Sequence, residues 1–374
     1  MSESAYVRTE LAQPEPAPRR TSGAVGWARK KLFATPTDTL LTFLGIAFLF
    51  WVIPPLYGFF IGNAVPPGGT VEQCRVENAG ACWAYIASEI EFFIYGFYPM
   101  DQYWRVNIVF AMLALLVVPL LWPRVPYKGI NAGMFFVVFP FVSIVLLSGG
   151  MFGLSFIPTE MWGGLMVTLI ISVVGICGSL PLGVLLALGR RSRLPVIKTL
   201  CIMFIELIRA VPLISILFFA SIMLPLFMPQ GTTIDKLLRA LVGVTLFSAA
   251  YMAEVVRGGL QAIPRGQYEA ASALGLNYWK SMGFIVLPQA LKHVIPGIVN
   301  NFISLFKDTS LVYIVGMKDL LEAVKTKNDM LEWASATQAV TGYAFAAIVF
   351  WIFCFSISRY SVAMERRLDT GHKR

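Results

Sequence analysis

Charge is what this chain has least of. Only 14% of its 374 residues are Asp, Glu, Lys or Arg, while 57% are apolar. That leaves too little polar surface to coat a soluble fold, and several apolar runs exceed the roughly 20 residues that cross a bilayer core. Histidine is nearly missing: His293 and His372 are the two, which excludes a histidine metal site and a histidine proton relay. There is no GxxxxGK[ST] phosphate loop and no polar segment long enough for a nucleotide-binding domain, so the chain has no ATPase site of its own. Its acidic and basic residues form no acid–base or metal set, which argues against a membrane-embedded enzyme. The net charge of +9 does not mark a nucleic-acid binder either, because the basic residues gather at the ends of the apolar runs.

What is present reads as an all-α integral membrane protein of about eight transmembrane helices. The expected spans are 39–62, 104–122, 129–149, 161–189, 199–228, 238–258, 290–315 and 338–359. Residues 1–38 form a polar tail without a fold of its own, flexible to about Gly26, and 366–374 form a second tail. Residues 39–156 hold three spans and the large polar loop 63–103, and 157–365 hold a five-span core. With the N-terminus inside, the segments 1–38, 123–128, 190–198, 257–292 and 359–374 carry 21 of the 30 basic residues. Both termini are then cytoplasmic, and Arg190-Arg191-Ser192-Arg193 is the clearest topological anchor.

Cys74 and Cys82 lie in the outer loop, in a compartment that permits disulfides; a bridge and two free thiols both stand as readings. Cys177, Cys201 and Cys354 sit in apolar surroundings and read as packing residues. Trp83 to Tyr98 carries Glu89 and Glu91 and reads as an amphipathic helix at the outer interface, not as a ninth span. Glu206 with Arg209, and Glu254 with Arg257, repeat an i, i+3 spacing at the inner ends of two spans. Each pair either neutralises itself near the headgroups or serves transport. Asn300, Asn301, Ser304, Lys307, Asp308, Thr309 and Ser310 lie in or beside span seven, with Asn300, Ser304 and Lys307 at helical spacing. A stripe bearing both signs of charge suits a zwitterion, and equally suits hydrogen bonding between helices.

Between spans six and seven lies a stretch too polar to cross a bilayer. Pro264 suits the first position of a short helix, Gln267 to Leu274 are good helix formers, and Gly275 suits a left-handed stop. Asn277 suits the cap of a second helix, Tyr278 to Leu287, which is expected to end before Pro288. The product is an elbow, 264–288, with Glu269 near its tip. The pattern Glu269-Ala270-Ala271, Gly275, Ile285, Leu287-Pro288 resembles the coupling motif of bacterial ABC import permeases at all seven fixed positions. The stretches Arg209-Ala210-Val211-Pro212, Ala250 to Gly259, Gly266-Gln267 and Lys307 to Leu311 resemble the subfamily for polar and general L-amino acids. The likeness covers about 157–365; spans one to three most resemble the extended permease of general L-amino acid importers.

The resemblance implies a type I ABC importer permease core. It also implies two cytoplasmic ATPase subunits holding ATP and Mg, a second permease subunit of a different, paralogous chain, and a periplasmic amino-acid-binding protein. Glu269, Ala270, Ala271, Gly275, Ile285, Leu287 and Pro288 would couple to the ATPase. Arg209, Glu254, Arg257, Asn301, Ser304, Lys307, Asp308, Thr309 and Ser310 are candidates for the substrate path or its gate. The chain would lie in the bacterial inner membrane. A secondary transporter driven by an ion gradient is the alternative; it would also need intramembrane charges, but it gives no use to the elbow.

Overall fold

The structure, a computed structural model, describes residues 23–122, 124–229 and 234–368. Most of the expected N-terminal tail and all but the start of the C-terminal one lie outside the described residues. Two compact units are formed. The first comprises the described residues to Ala64 with Glu77–Ala81; the second comprises Val65–Val76 and the chain from Cys82 onward.

In the first unit, helix α1 (Gly23–Lys31) ends on Arg29, Lys30 and Lys31, where cations suit the helix dipole. The sequence reading left this segment without structure. Helix α2 (Pro36–Gly62) is the first span. Its start is set by a capping box: the Thr35 hydroxyl accepts from the Asp38 N–H, and the Asp38 carboxylate accepts from the Thr35 N–H.

The second unit contains α3 (Trp83–Tyr95), α4 (Met100–Leu121), α5 (Lys128–Ser148) and α6 (Gly164–Arg190). Next come α7 (Pro195–Ala210), α8 (Leu213–Leu226), α9 (Lys236–Ala262) and α10 (Arg265–Ala273). The last are α11 (Tyr278–His293), α12 (Ile295–Val315), α13 (Leu320–Asn328) and α14 (Gln338–Leu368). Among the described residues six helices are long and apolar enough to cross a membrane, and two bent pairs raise the number to as many as eight. The protein is thus all-α and membrane-embedded.

The central pair is α6 against α9. Small residues let the two backbones approach: a Cβ on Gly183 would stand 2.6 Å from the Met252 Cβ, and one on Gly178 would stand 2.7 Å from a Thr245 methyl. Val106 of α4 and Phe139 of α5 share one buried cluster with Ile171, Leu217, Val244 and Leu305 of the core helices.

Spans five and seven are not the continuous helices expected. Helices α7 and α8 meet at 104°, and α11 and α12 at 65°. Pro212 explains the first: the residue before a proline is driven from helical to extended geometry, and Val211 lies at φ −109°, ψ 135°. The second break falls at Val294, two residues before Pro296.

Other prolines are absorbed without a break. The N–H of Phe139, of Leu224 and of Leu287 each bonds the carbonyl five residues back. Pro140, Pro225 and Pro288 follow directly. This π-type turn widens the helix where a proline ring would collide with the carbonyl four residues back. Hence α11 passes Pro288 and continues to His293, where the sequence reading stopped it at Leu287.

At the end remote from the elbow, α3 packs on α6, α13 and α14. Tyr85 and Phe93 are fully buried there, and Glu89 is held at 2.6 Å by Lys327 of α13. The expected amphipathic helix is present, with Glu89 on its buried face and Ser88 and Glu91 on its exposed one. Cys74 and Cys82 form a disulfide. Gly164, at φ +63°, crosses the backbone of Phe93 so closely that a Cβ could not fit.

Candidate coupling elbow and polar path

Local chemistry builds the elbow. Pro264 lies just outside α10 at ψ 143°, one residue earlier than the position expected for it. At the other end the Leu276 N–H bonds the Ala271 carbonyl and the Gly275 N–H bonds the Ser272 carbonyl, with Gly275 at φ +72°. This is a complete Schellman stop, whose left-handed position only glycine adopts freely. Asn277 then caps α11 by accepting from the Lys280 N–H at 3.0 Å.

Met282, Val286 and Ala290 form the buried face that pins α11 to Val256 and Leu260 of α9. Ala271 is fully buried as well. Glu269, Ala270 and Pro288 are exposed, and Ile285 and Leu287 are half-buried. Leu274, Trp279 and Phe284 present apolar surface at the tip.

Two cavities lie between α9 and α12. One, of about 300 Å³, is lined by Leu213, Phe247, Ser248 and Asp308 among others. The second, of about 450 Å³ and nearer the elbow, has Arg209, Glu254, Gly297 and Asn300 in its wall. Tyr251, Asn301 and Ser304 line both, so the two adjoin. Asn301 also donates to the Ser248 carbonyl and hydroxyl, at 3.2 and 3.1 Å, which fixes α12 against α9.

Of the residues chosen from sequence, Arg209, Glu254, Asn301, Ser304 and Asp308 thus come together. Lys307, Thr309 and Ser310 line neither cavity. Lys307 is exposed, the buried Thr309 hydroxyl donates to the Phe306 carbonyl, and the Ser310 hydroxyl donates to the Lys307 carbonyl. The facing stripe runs 297, 300–301, 304 and 308; Lys307 stands about 20° from Asn300, at the edge of that stripe, with its side chain exposed.

The charged pairs are not self-contained. One Arg190 nitrogen donates to both Glu206 and Glu254, at 2.8 Å each, joining α6, α7 and α9. Arg257 binds the other Glu254 oxygen through two nitrogens, at 2.9 and 2.7 Å. Arg209 stands 3.8 and 3.7 Å from the two glutamates and lies over the Tyr251 ring at 5.6 Å. Arg257 therefore backs the wall of the path without lining it. Sequence reasoning read Arg190 only as a topological anchor and passed over Ser248 and Tyr251. The helical spacing Ser248, Tyr251, Glu254 was the signal available.

A membrane bundle with a polar path, a charge cluster across three helices and an external elbow defines a transport permease. Residues 179–370 match the family described as binding-protein-dependent transport system inner membrane component. The chain is 50% identical to the inner membrane amino-acid ABC transporter permease protein YhdY of Escherichia coli K12, over 96% of each chain. It is 39% identical to the glutamate/glutamine/aspartate/asparagine transport system permease protein BztC of Rhodobacter capsulatus, over the whole of both. A crystal structure of an amino acid ABC transporter with histidines aligns at 28% identity and a TM-score of 0.48, covering 55% of this chain and 92% of that one. This chain belongs to the family of binding-protein-dependent inner membrane components, as a multi-pass ABC transporter permease.

Proposed function

We propose that this chain carries L-amino acids across the bacterial inner membrane as one permease of an ATP-driven importer. The observation that carries the reading is the elbow. It is a short helix that exposes Glu269 and Ala270 and buries Ala271, closed by a left-handed glycine and returned by a second helix whose buried face is locked to the core. Such a part suits rigid docking in a cleft of another protein and transmission of its movement to the spans. The chain itself has no ATPase site; ATP and Mg belong to two partner ATPase subunits on the elbow side. Glu269 makes the polar contact there, while Ala270, Ala271, Ile285, Leu287 and Pro288 shape the docking surface and its return limb.

The distribution of Lys and Arg supports a cytoplasmic elbow and cytoplasmic termini. A binding protein then delivers substrate to the opposite face. A second permease, a different and paralogous chain, completes the path, and the additional N-terminal spans of this one support that asymmetry. Arg209 of α7 with Asn301, Ser304 and Asp308 of α12 place a cation, an amide, a hydroxyl and a carboxylate in the linings of the two adjoining cavities, which suits a zwitterion.

Purification of the tagged chain in mild detergent, with bound proteins identified by mass spectrometry, tests the assignment. The expected companions are a P-loop ATPase and a second permease, with the ATPase lost on Glu269→Lys. A chain that purifies alone and transports in liposomes without ATP would refute it.

A further inference from the structure

The last turn of α6 presents two adjacent arginines to two different neighbours. Arg190 divides one nitrogen between Glu206 of α7 and Glu254 of α9. Arg191 turns the other way: it donates to the Leu260 carbonyl at the end of α9, at 3.0 Å, and to the Tyr268 hydroxyl on α10, at 3.2 Å. Its guanidinium lies 5.8 Å from the centre of the Tyr268 ring, and the Tyr268 hydroxyl itself approaches the Leu260 carbonyl at 3.4 Å. Arg193 and Lys198, the other cations of this connection, make no side-chain bond among the described residues. A topological anchor needs positive charge alone, so the engagement of Arg190 and Arg191, and not of their neighbours, calls for another account.

Resting on the importer reading above, we infer that Arg190 and Arg191 are positioning residues. Together they form the joint through which movement of the elbow reaches the polar path. Tyr268 precedes Glu269, so any displacement of α10 relative to α9 must either pull the end of α6 with it or break the triangle of Arg191, Tyr268 and Leu260. Arg190 sits on the same turn. Its two carboxylate partners lie on different helices, so a shift of α6 changes how firmly α7 is tied to α9. Arg209 and Glu254, which wall the elbow-side cavity, belong to those two helices. The chain of contacts from Tyr268 to the cavity wall is thus continuous, through side chains with alternative partners.

The test uses Arg191→Lys, which keeps the charge but loses the planar fork, and Tyr268→Phe, which keeps the ring but loses the hydroxyl. The complete complex with its binding protein is placed in liposomes, and uptake of a radiolabelled L-amino acid mixture is measured together with ATP hydrolysis. Both variants are expected to assemble and to hydrolyse ATP. Uptake per ATP should fall on the order of tenfold in Arg191→Lys and less in Tyr268→Phe. The double variant should be no worse than Arg191→Lys alone, as befits residues sharing one contact.

An unchanged ratio in both variants, or an equal fall in uptake and hydrolysis, overturns the joint. Tyr268→Phe, the milder change, decides the matter if Arg191→Lys does not assemble. Wild-type liposomes that take up nothing on ATP would overturn the importer reading itself, whereas wild-type uptake with unchanged ratios overturns the joint alone.

Discussion

Single residues carry more of this fold than their number suggests, because each stands where water cannot substitute for it. Asp319 is fully buried, yet it caps α13 by accepting from the Leu321 and Glu322 N–H groups, at 3.2 and 3.1 Å. Burial pushes its carboxyl up to about 6 from an ordinary 3.8, against the downward pull of those backbone bonds. The folded state therefore binds the proton more tightly than the unfolded one. The resulting stabilisation is complete below the unfolded value and is lost as the pH rises through the folded one. Asp319→Asn, which caps without charge, should raise stability at a pH of about 7.5 by up to about 3 kcal/mol. It should also abolish the gain that the wild type shows on acidification, and the thermal midpoint in detergent at the two pH values reads both effects.

Arg239 works on the opposite principle. It donates to the Ala220 and Ser221 carbonyls in the widened turn before Pro225, at 3.4 and 2.5 Å. Arg239→Ala leaves those acceptors short of a donor and should cost about 1–3 kcal/mol, with partial recovery in Arg239→Lys. The same thermal measurement checks it.

At the scale of elements, the elbow and the spans differ in how they are written. Glycine, asparagine and proline act on their nearest neighbours, so the stop at Gly275 and the cap at Asn277 could be read directly from the chain. The number of spans was legible for a similar reason, since length and hydropathy are local. The breaks at Val211 and Val294 were not, although Pro212 and Pro296 were in plain view. Pro140, Pro225 and Pro288 have the same chemistry, yet their helices continue through a wide turn. Which outcome follows depends on what packs opposite, and the chain alone does not list that. Lys307 shares the edge of the stripe with Asn300 by spacing, yet lines neither cavity, because spacing fixes a direction on the helix and not what packs opposite it.

For the elbow itself, a side chain at Gly275 meets no atom within 4 Å, so its penalty is one of backbone conformation and not of collision. Gly275→Val should strain the stop by about 1–2 kcal/mol and abolish ATP-driven uptake while the protein remains in the membrane. Uptake in vesicles, normalised to inserted protein by immunoblot, decides it.

Taken as a whole, the molecule is organised on the α6–α9 pair, to which the path, the charge cluster and the elbow are all attached. That pair depends on absent side chains more than on present ones. Gly183→Leu would drive a branched side chain into Met252 and the Ala249 carbonyl. Overpacking of this kind costs about 1–3 kcal/mol or more. Here it should separate the two helices that hold Arg190 and Glu254. The expected result is a chain that inserts but elutes in aggregated fractions on size exclusion, whereas Gly258→Leu, at a site with no atom within 4 Å, elutes normally.

The wide turns also bear on how chains of this kind can change in length. Each holds one residue more than an ordinary helical ring of hydrogen bonds requires. A single-residue deletion between Met282 and Val286, made together with replacement of Pro288, would return that stretch to regular register with its flanks still in phase. Elsewhere in a helix the same deletion would rotate everything beyond it by about 100°. These turns are therefore the places inside the spans where the gene can gain or lose a codon without scrambling what faces lipid and what faces the path.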